Sequence, residues 1–137
     1  MENNHTSLWG HFVNCITRKY CCFKGRARRA EFWGFALFHF IFIGAFNIPS
    51  RILSESHGTD LLIALILAII SLVISLALLL PGLGVFVRRM HDIGKSGWNW
   101  LWGLLPFVGF IVILVFECMD SQRGTNQYGP CEKYPEA

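Results

Sequence analysis

The chain has 137 residues, 53% hydrophobic and only 15% charged, with a formal net charge of +3. Soluble domains carry about 25% charged residues, so this composition argues against a water-soluble globular protein, and the length allows one compact unit without a second domain. A nucleic-acid-binding module is excluded on the same ground, because the basic residues do not lie on a folded soluble face with base-contacting elements.

The first periodic segment covers about residues 6–22. Leu8, Trp9, Phe12, Val13, Ile16 and Tyr20 recur at three- and four-residue spacing, with His11, Asn14, Thr17 and Arg18 on the other side. This pattern predicts an amphipathic helix that either lies on a membrane surface or packs against a helical bundle. Six cations follow or overlap it: Arg18, Lys19, Lys24, Arg26, Arg28 and Arg29.

Three stretches free of Asp, Glu, Lys and Arg come next, at residues 32–50, 61–87 and 98–116. At 1.5 Å per residue, a 19-residue helix covers about 28 Å, close to the ~30 Å hydrocarbon thickness of a bilayer. The expected fold is therefore an all-α membrane protein. Three transmembrane helices follow the amphipathic interfacial helix, and a short irregular C-terminal tail spans 117–137. The first apolar stretch starts after the cations and is too long for a cleavable signal, so it reads as an uncleaved signal-anchor.

Span one carries His39 at its middle and Asn47 near its far end. No acidic residue occurs in any span to pair with His39, so a packed neutral imidazole is favoured over a proton-handling one. Span two bears Ala64, Ala68, Ser71 and Ser75 at i, i+4, i+7 and i+11, a small-residue stripe suited to close helix packing. Pro81 interrupts it near the end, and the helix is expected to run on through Arg88–Asp92. Span three contains Gly103, Pro106 and Gly109, which fits a tolerated kink or a broken helix at a transport site.

Positive charge near spans stays on the cytoplasmic side. Six cations precede span one, Arg51 alone separates spans one and two, Arg88, Arg89 and Lys95 lie between spans two and three, and Arg123 and Lys133 follow. The N-terminus is thus expected to be cytoplasmic and the C-terminus outside. Trp33, Trp98, Trp100 and Trp102 open their spans at the inner interface, where indole is favoured.

The candidate site is an inner-rim charge cluster of Arg26, Arg28, Arg29, Glu31, Arg88, Arg89, His91, Asp92 and Lys95. On a helix Arg88, His91 and Asp92 share one face, and the two basic segments lie at one depth. They would bind anionic lipid headgroups, form ion pairs with each other, or simply hold orientation. No catalytic, cofactor-binding or metal-binding set is expected. Gly94-Lys95-Ser96 lacks the upstream glycine of a phosphate loop, and His91-Asp92 has no third ligand nearby. Cys118 and Cys131 would pair only in an oxidising compartment.

The run Phe23-Lys24-Gly25-Arg26-Ala27-Arg28-Arg29-Ala30-Glu31-Phe32-Trp33 resembles the opening motif of the YhaH-like family of small bacterial inner-membrane proteins, a family without assigned function. Arg88-Arg89-Met90-His91-Asp92 through Trp98 is similar to its second hallmark, and Gly124-Thr125-Asn126-Gln127-Tyr128-Gly129-Pro130 to its third. Met90 stands where the family usually has Leu, and Cys131 where it tends to have Asp. The resemblance implies a multi-pass protein of the bacterial cytoplasmic (inner) membrane and supplies no activity. The expected role is a non-enzymatic component binding lipid or a membrane partner, as a homo-oligomer or alone. The alternatives are a transporter or channel subunit acting in an oligomer, and an enzyme using Arg88, Arg89, His91 and Asp92 on a headgroup phosphate.

Overall fold

A computed structural model describes residues 7–54, 59–131 and 133–134, with side chains omitted at 54, 59 and 60. The elements are all helical: α1 Leu8–Thr17, α2 Arg29–Ser54, α3 Thr59–Asp92, a 3-10 helix Gly97–Leu104, and α4 Val108–Cys118. No strand occurs among the described residues, only an isolated bridge between Asn126 and Gly129.

Helices α2 and α3 form an antiparallel pair, as the Glu31–Arg88 and Asn47–Ser71 contacts define. Both are long and apolar enough to cross a membrane. Their apolar side chains point outward, with Phe40 73% and Leu62 64% exposed. Such faces are stable only against lipid or another apolar surface. The small-residue stripe packs within the chain in part: Ala64 and Ser71 are buried and Ser71 accepts a hydrogen bond from Asn47, whereas Ala68 is exposed.

Helix α1 begins where the Ser7 hydroxyl accepts from the Gly10 amide at 3.1 Å. It ends at Thr17, short of residue 22, as the Arg18 and Lys19 amides both turn back to the Asn14 carbonyl. Its apolar side packs on the bundle: Trp9 meets Phe38 edge-on at 4.9 Å, and Phe12 lies 5.5–5.6 Å from Phe35, Phe38 and Phe42. A Cβ on Gly34 would sit 3.0 Å from the Leu8 carbonyl oxygen, so glycine there permits this close approach. The following loop repairs α3. Pro81 has no N–H for the Ala77 carbonyl, and the Tyr20 hydroxyl donates to that oxygen at 2.5 Å.

The expected single helix over 98–116 is instead two short arms. The 3-10 arm of 8 residues is about 16 Å long at its 2.0 Å rise, and the 11-residue α4 is also about 16 Å at 1.5 Å. Each covers about half a bilayer. The reversal is a γ-turn at Phe107, φ 62°, ψ −63°, with the Val108 amide donating to the Pro106 carbonyl at 2.7 Å. Gly109 then packs directly on the Trp102 carbonyl, where a Cβ would lie only 1.7 Å from the oxygen.

Because the hairpin returns to where it started, the tail meets the N-terminal flank. Arg26 donates to the Gln122, Gly124 and Gly129 carbonyls, and Asn126 donates to the His91 carbonyl. The expectation that flank and tail lie on opposite sides of a membrane does not fit these contacts. Hydropathy measured the apolar length correctly but could not detect that it folds back.

A buried ion-pair latch as candidate functional site

Two carboxylates organise the rim. Asp92, at the end of α3, receives Arg26 Nε at 3.1 Å and Arg89 Nη1 at 2.8 Å, together with the Ser121 hydroxyl. Both arginines and Asp92 are almost fully buried. Glu31, in the first turn of α2, pairs with Arg88 and with Lys19 at 3.3 Å, and accepts from the Cys15 thiol at 3.5 Å. Arg88 also donates to the Cys22 carbonyl at 3.0 Å. So Arg88 pairs across helices with Glu31 rather than with Asp92 on its own face. Asp92 takes its i−3 neighbour and a residue 66 positions away.

These pairs tie four segments together. Arg89 additionally donates to the Glu117 and Met119 carbonyls, capping the C-terminus of α4. The Ala27 amide donates to the Arg88 carbonyl at 3.0 Å, and the Gln122 amide to the Asp92 carbonyl at 2.9 Å. The His91 ring stacks on Tyr128 at 3.7 Å and 7°, and its Nδ1 lies 3.2 Å from the Gly25 carbonyl, which makes that nitrogen the protonated one. Arg29 reaches Asp120 at 2.9 Å on the surface, and Lys95 lies over the Phe116 ring. Arg28 is half-buried and its carbonyl starts α2.

Burial raises two acidic groups here. The Cys15 thiol is pushed up to about 11, first by burial and then by the charge of Glu31, so it stays a thiol. Glu117, at the rim end of α4, is raised to about 8 by burial, against a partial lowering by Arg89. Arg89 Nε is 3.5 Å from Glu117, but Asp92 holds the guanidinium more closely and neither Glu117 oxygen has a hydrogen bond. An acid raised on folding stabilises the fold fully below its ordinary 4.5 and loses that contribution as pH rises through about 8. Glu117→Gln is therefore expected to match the wild type near pH 5 and to unfold at a higher temperature at pH 9. Parallel melting curves at the two pH values check it.

All the cysteines, Cys118 and Cys131 included, are free thiols. No group of three or more His, Cys, Asp or Glu suited to a metal occurs among the described residues.

The three sequence hallmarks thus meet in one cluster: Arg26 from the first, Arg89 and Asp92 from the second, Gly124 and Gly129 from the third. Residues 20–130 match the family described as protein of unknown function (DUF805). The chain belongs to this family. Among DUF805 relatives, the inner membrane protein YhaH of Escherichia coli (strain K12) is 33% identical over 119 residues, covering 86% of this chain and 93% of its own. Inner membrane protein YhaI of the same strain is 36% identical over 122 residues, covering 87% and 92%. No solved structure matches.

Glu117, Ser121 and Cys15 belong to this cluster but escaped the sequence reading, and Lys19 and Tyr128 entered it only as a flank cation and a motif residue. The Gly124–Pro130 motif was the available signal for the tail, but the assumed third crossing placed it on the far side.

Proposed function

We propose that this protein is a non-enzymatic component of the bacterial inner membrane that binds anionic lipid headgroups at its cytoplasmic rim, with both termini cytoplasmic. Two inner membrane proteins of Escherichia coli are its relatives, and two of its helices have spanning length. The cations before α2 favour a cytoplasmic flank, and the tail that Arg26 grips lies at the same end. The observation that carries the lipid reading is the division of charge at this end. Arg26, Arg88 and Arg89 are buried against Asp92 and Glu31, so they are internal struts and not headgroup ligands. The open cations are Arg18, Lys24 and Arg123, beside exposed Trp33 and Trp98. Arg88, Arg89, His91 and Asp92, which an enzyme acting on phosphate would use, have internal partners, and this supports the non-enzymatic reading.

Orientation is tested with a fluorescent protein or alkaline phosphatase fused after the last residue. The expected result is a fluorescent fusion and an inactive phosphatase; the reverse removes the two-crossing reading. Lipid binding is tested on delipidated protein in mild detergent titrated with phosphatidylglycerol and with phosphatidylcholine. At about 1 kcal/mol per basic residue near the surface, reversing Arg18, Lys24 and Arg123 to Glu should reduce the preference for phosphatidylglycerol at least tenfold. An unaltered preference rejects headgroup binding.

A further inference from the structure

Between the rim and the far ends of α2 and α3 lies a cavity of about 540 Å³, walled by both helices and by Trp100 and Ile113 of the hairpin. Its lining is aromatic and aliphatic, with Phe35, Phe40, Phe86 and Trp100 among the walls, and carries polar side chains from His39 and Ser75. His39 stacks near Phe35, at 6.0 Å and 15°, and stands edge-on to Phe40 at 5.8 Å. The imidazole makes no hydrogen bond to any described residue. The Ser75 hydroxyl donates to the Ser71 carbonyl at 2.8 Å, which leaves its oxygen lone pairs as acceptors.

An unmatched polar group at membrane depth is unfavourable by several kcal/mol, and a mostly apolar pocket with a few polar groups is the usual form of a small-molecule site. Depth restricts the ligand. His39 lies ten residues beyond Arg29 at the start of α2, about 15 Å along the helix at 1.5 Å per residue. The phosphate and glycerol oxygens of a phospholipid stay at the interface, so they do not reach this donor. A matching ligand is uncharged, carries a ring oxygen that accepts from imidazole, presents a flat face to the aromatic walls, and has an apolar tail that continues into lipid. We infer that the cavity binds the head of an isoprenoid quinone, with the His39 N–H donating to a ring carbonyl and the Ser75 oxygen available to accept from a ring hydroxyl of the reduced form. Binding alone is inferred, with no electron transfer within this chain. It is independent of the headgroup reading, which concerns the rim.

The test uses the full chain in nanodiscs, titrated with a benzoquinone bearing a ten-carbon tail, with quenching of tryptophan emission as the readout. Wild type is expected to saturate at one quinone per chain. His39→Leu, which keeps an apolar wall and removes the donor, should weaken binding about tenfold, and His39→Gln, which restores an N–H, should recover most of it. Ala36→Trp should fill the cavity and abolish saturation; if it fails to fold, the two His39 variants decide alone. Equal, non-saturating quenching in every variant would mean simple partition into the bilayer and overturn the site. Loss in Ala36→Trp with no change in His39→Leu would mean that a lipid acyl chain occupies the groove. A wild type that runs as a dimer and takes up quinone only when dissociated would mean that a second copy covers it. Either result also overturns the quinone assignment.

Discussion

Asp92→Ala is expected to lower stability by about 3–5 kcal/mol, because removing one member of a buried ion pair leaves its partners charged and uncompensated. Here two guanidiniums lose their shared carboxylate: Arg26 and Arg89 both donate to it, and both are buried. The loss should have a location as well as a size. Arg26 holds the Gln122, Gly124 and Gly129 carbonyls only while Asp92 holds Arg26, so the tail should detach first. Cys131 is 1% exposed whereas Cys118 is open. Maleimide labelling of Cys131 should therefore accelerate strongly in Asp92→Ala, with Cys118 labelling at an unchanged rate. A variant whose melting temperature and Cys131 protection both equal the wild type's would show that the latch carries no tension between tail and bundle. The double replacement Arg26→Met with Asp92→Leu should recover part of the loss, since apolar substitutes for a buried pair are often tolerated. Arg89 would keep Glu117 as its remaining acidic neighbour.

Gly109→Ala separates the two possible forms of the last apolar stretch by the sign of its effect. In a continuous helix through 98–116, alanine is better than glycine by about 1 kcal/mol, and the variant would be stabilised. In the hairpin the new methyl would sit 1.7 Å from the Trp102 carbonyl oxygen, which is backbone and cannot swing aside. The two arms must separate, at a cost expected to equal or exceed the roughly 1–3 kcal/mol of overpacked cores. Thermal unfolding in mild detergent decides it, and a raised midpoint would restore the single span. A fall should be accompanied by a change in tryptophan emission, since Trp98, Trp100 and Trp102 all lie on the 3-10 arm.

Much of the rim was legible before the structure. The cations of 24–29 and 88–95 and the acids Glu31 and Asp92 read as one layer, and ion pairs between the two segments are present in Arg26–Asp92 and Arg88–Glu31. What local spacing could not supply was the pairing itself. Helical periodicity made Arg88 and Asp92 partners, yet Arg88 turns to α2 and Asp92 to the flank and tail. Such choices depend on which backbone carbonyls lie beside each guanidinium after packing, and those of Cys22 and Gln122 come from loops with no periodic signal.

By itself the sequence determined the chemical class of each segment: three apolar stretches read as spans, an amphipathic helix before them, and arginines concentrated at one end. These follow from composition and period, which act within a few turns of chain. Only tertiary structure decided that residues 98–116 double back, that the tail returns to the flank, and that Arg26, Arg88 and Arg89 are buried against Asp92 and Glu31. Those outcomes rest on contacts between residues far apart in the chain, such as Arg26 with Gly129, and on one close backbone approach at Gly109. Hydropathy does not distinguish a rod that crosses the bilayer from one folded in half, since both place the same side chains in oil.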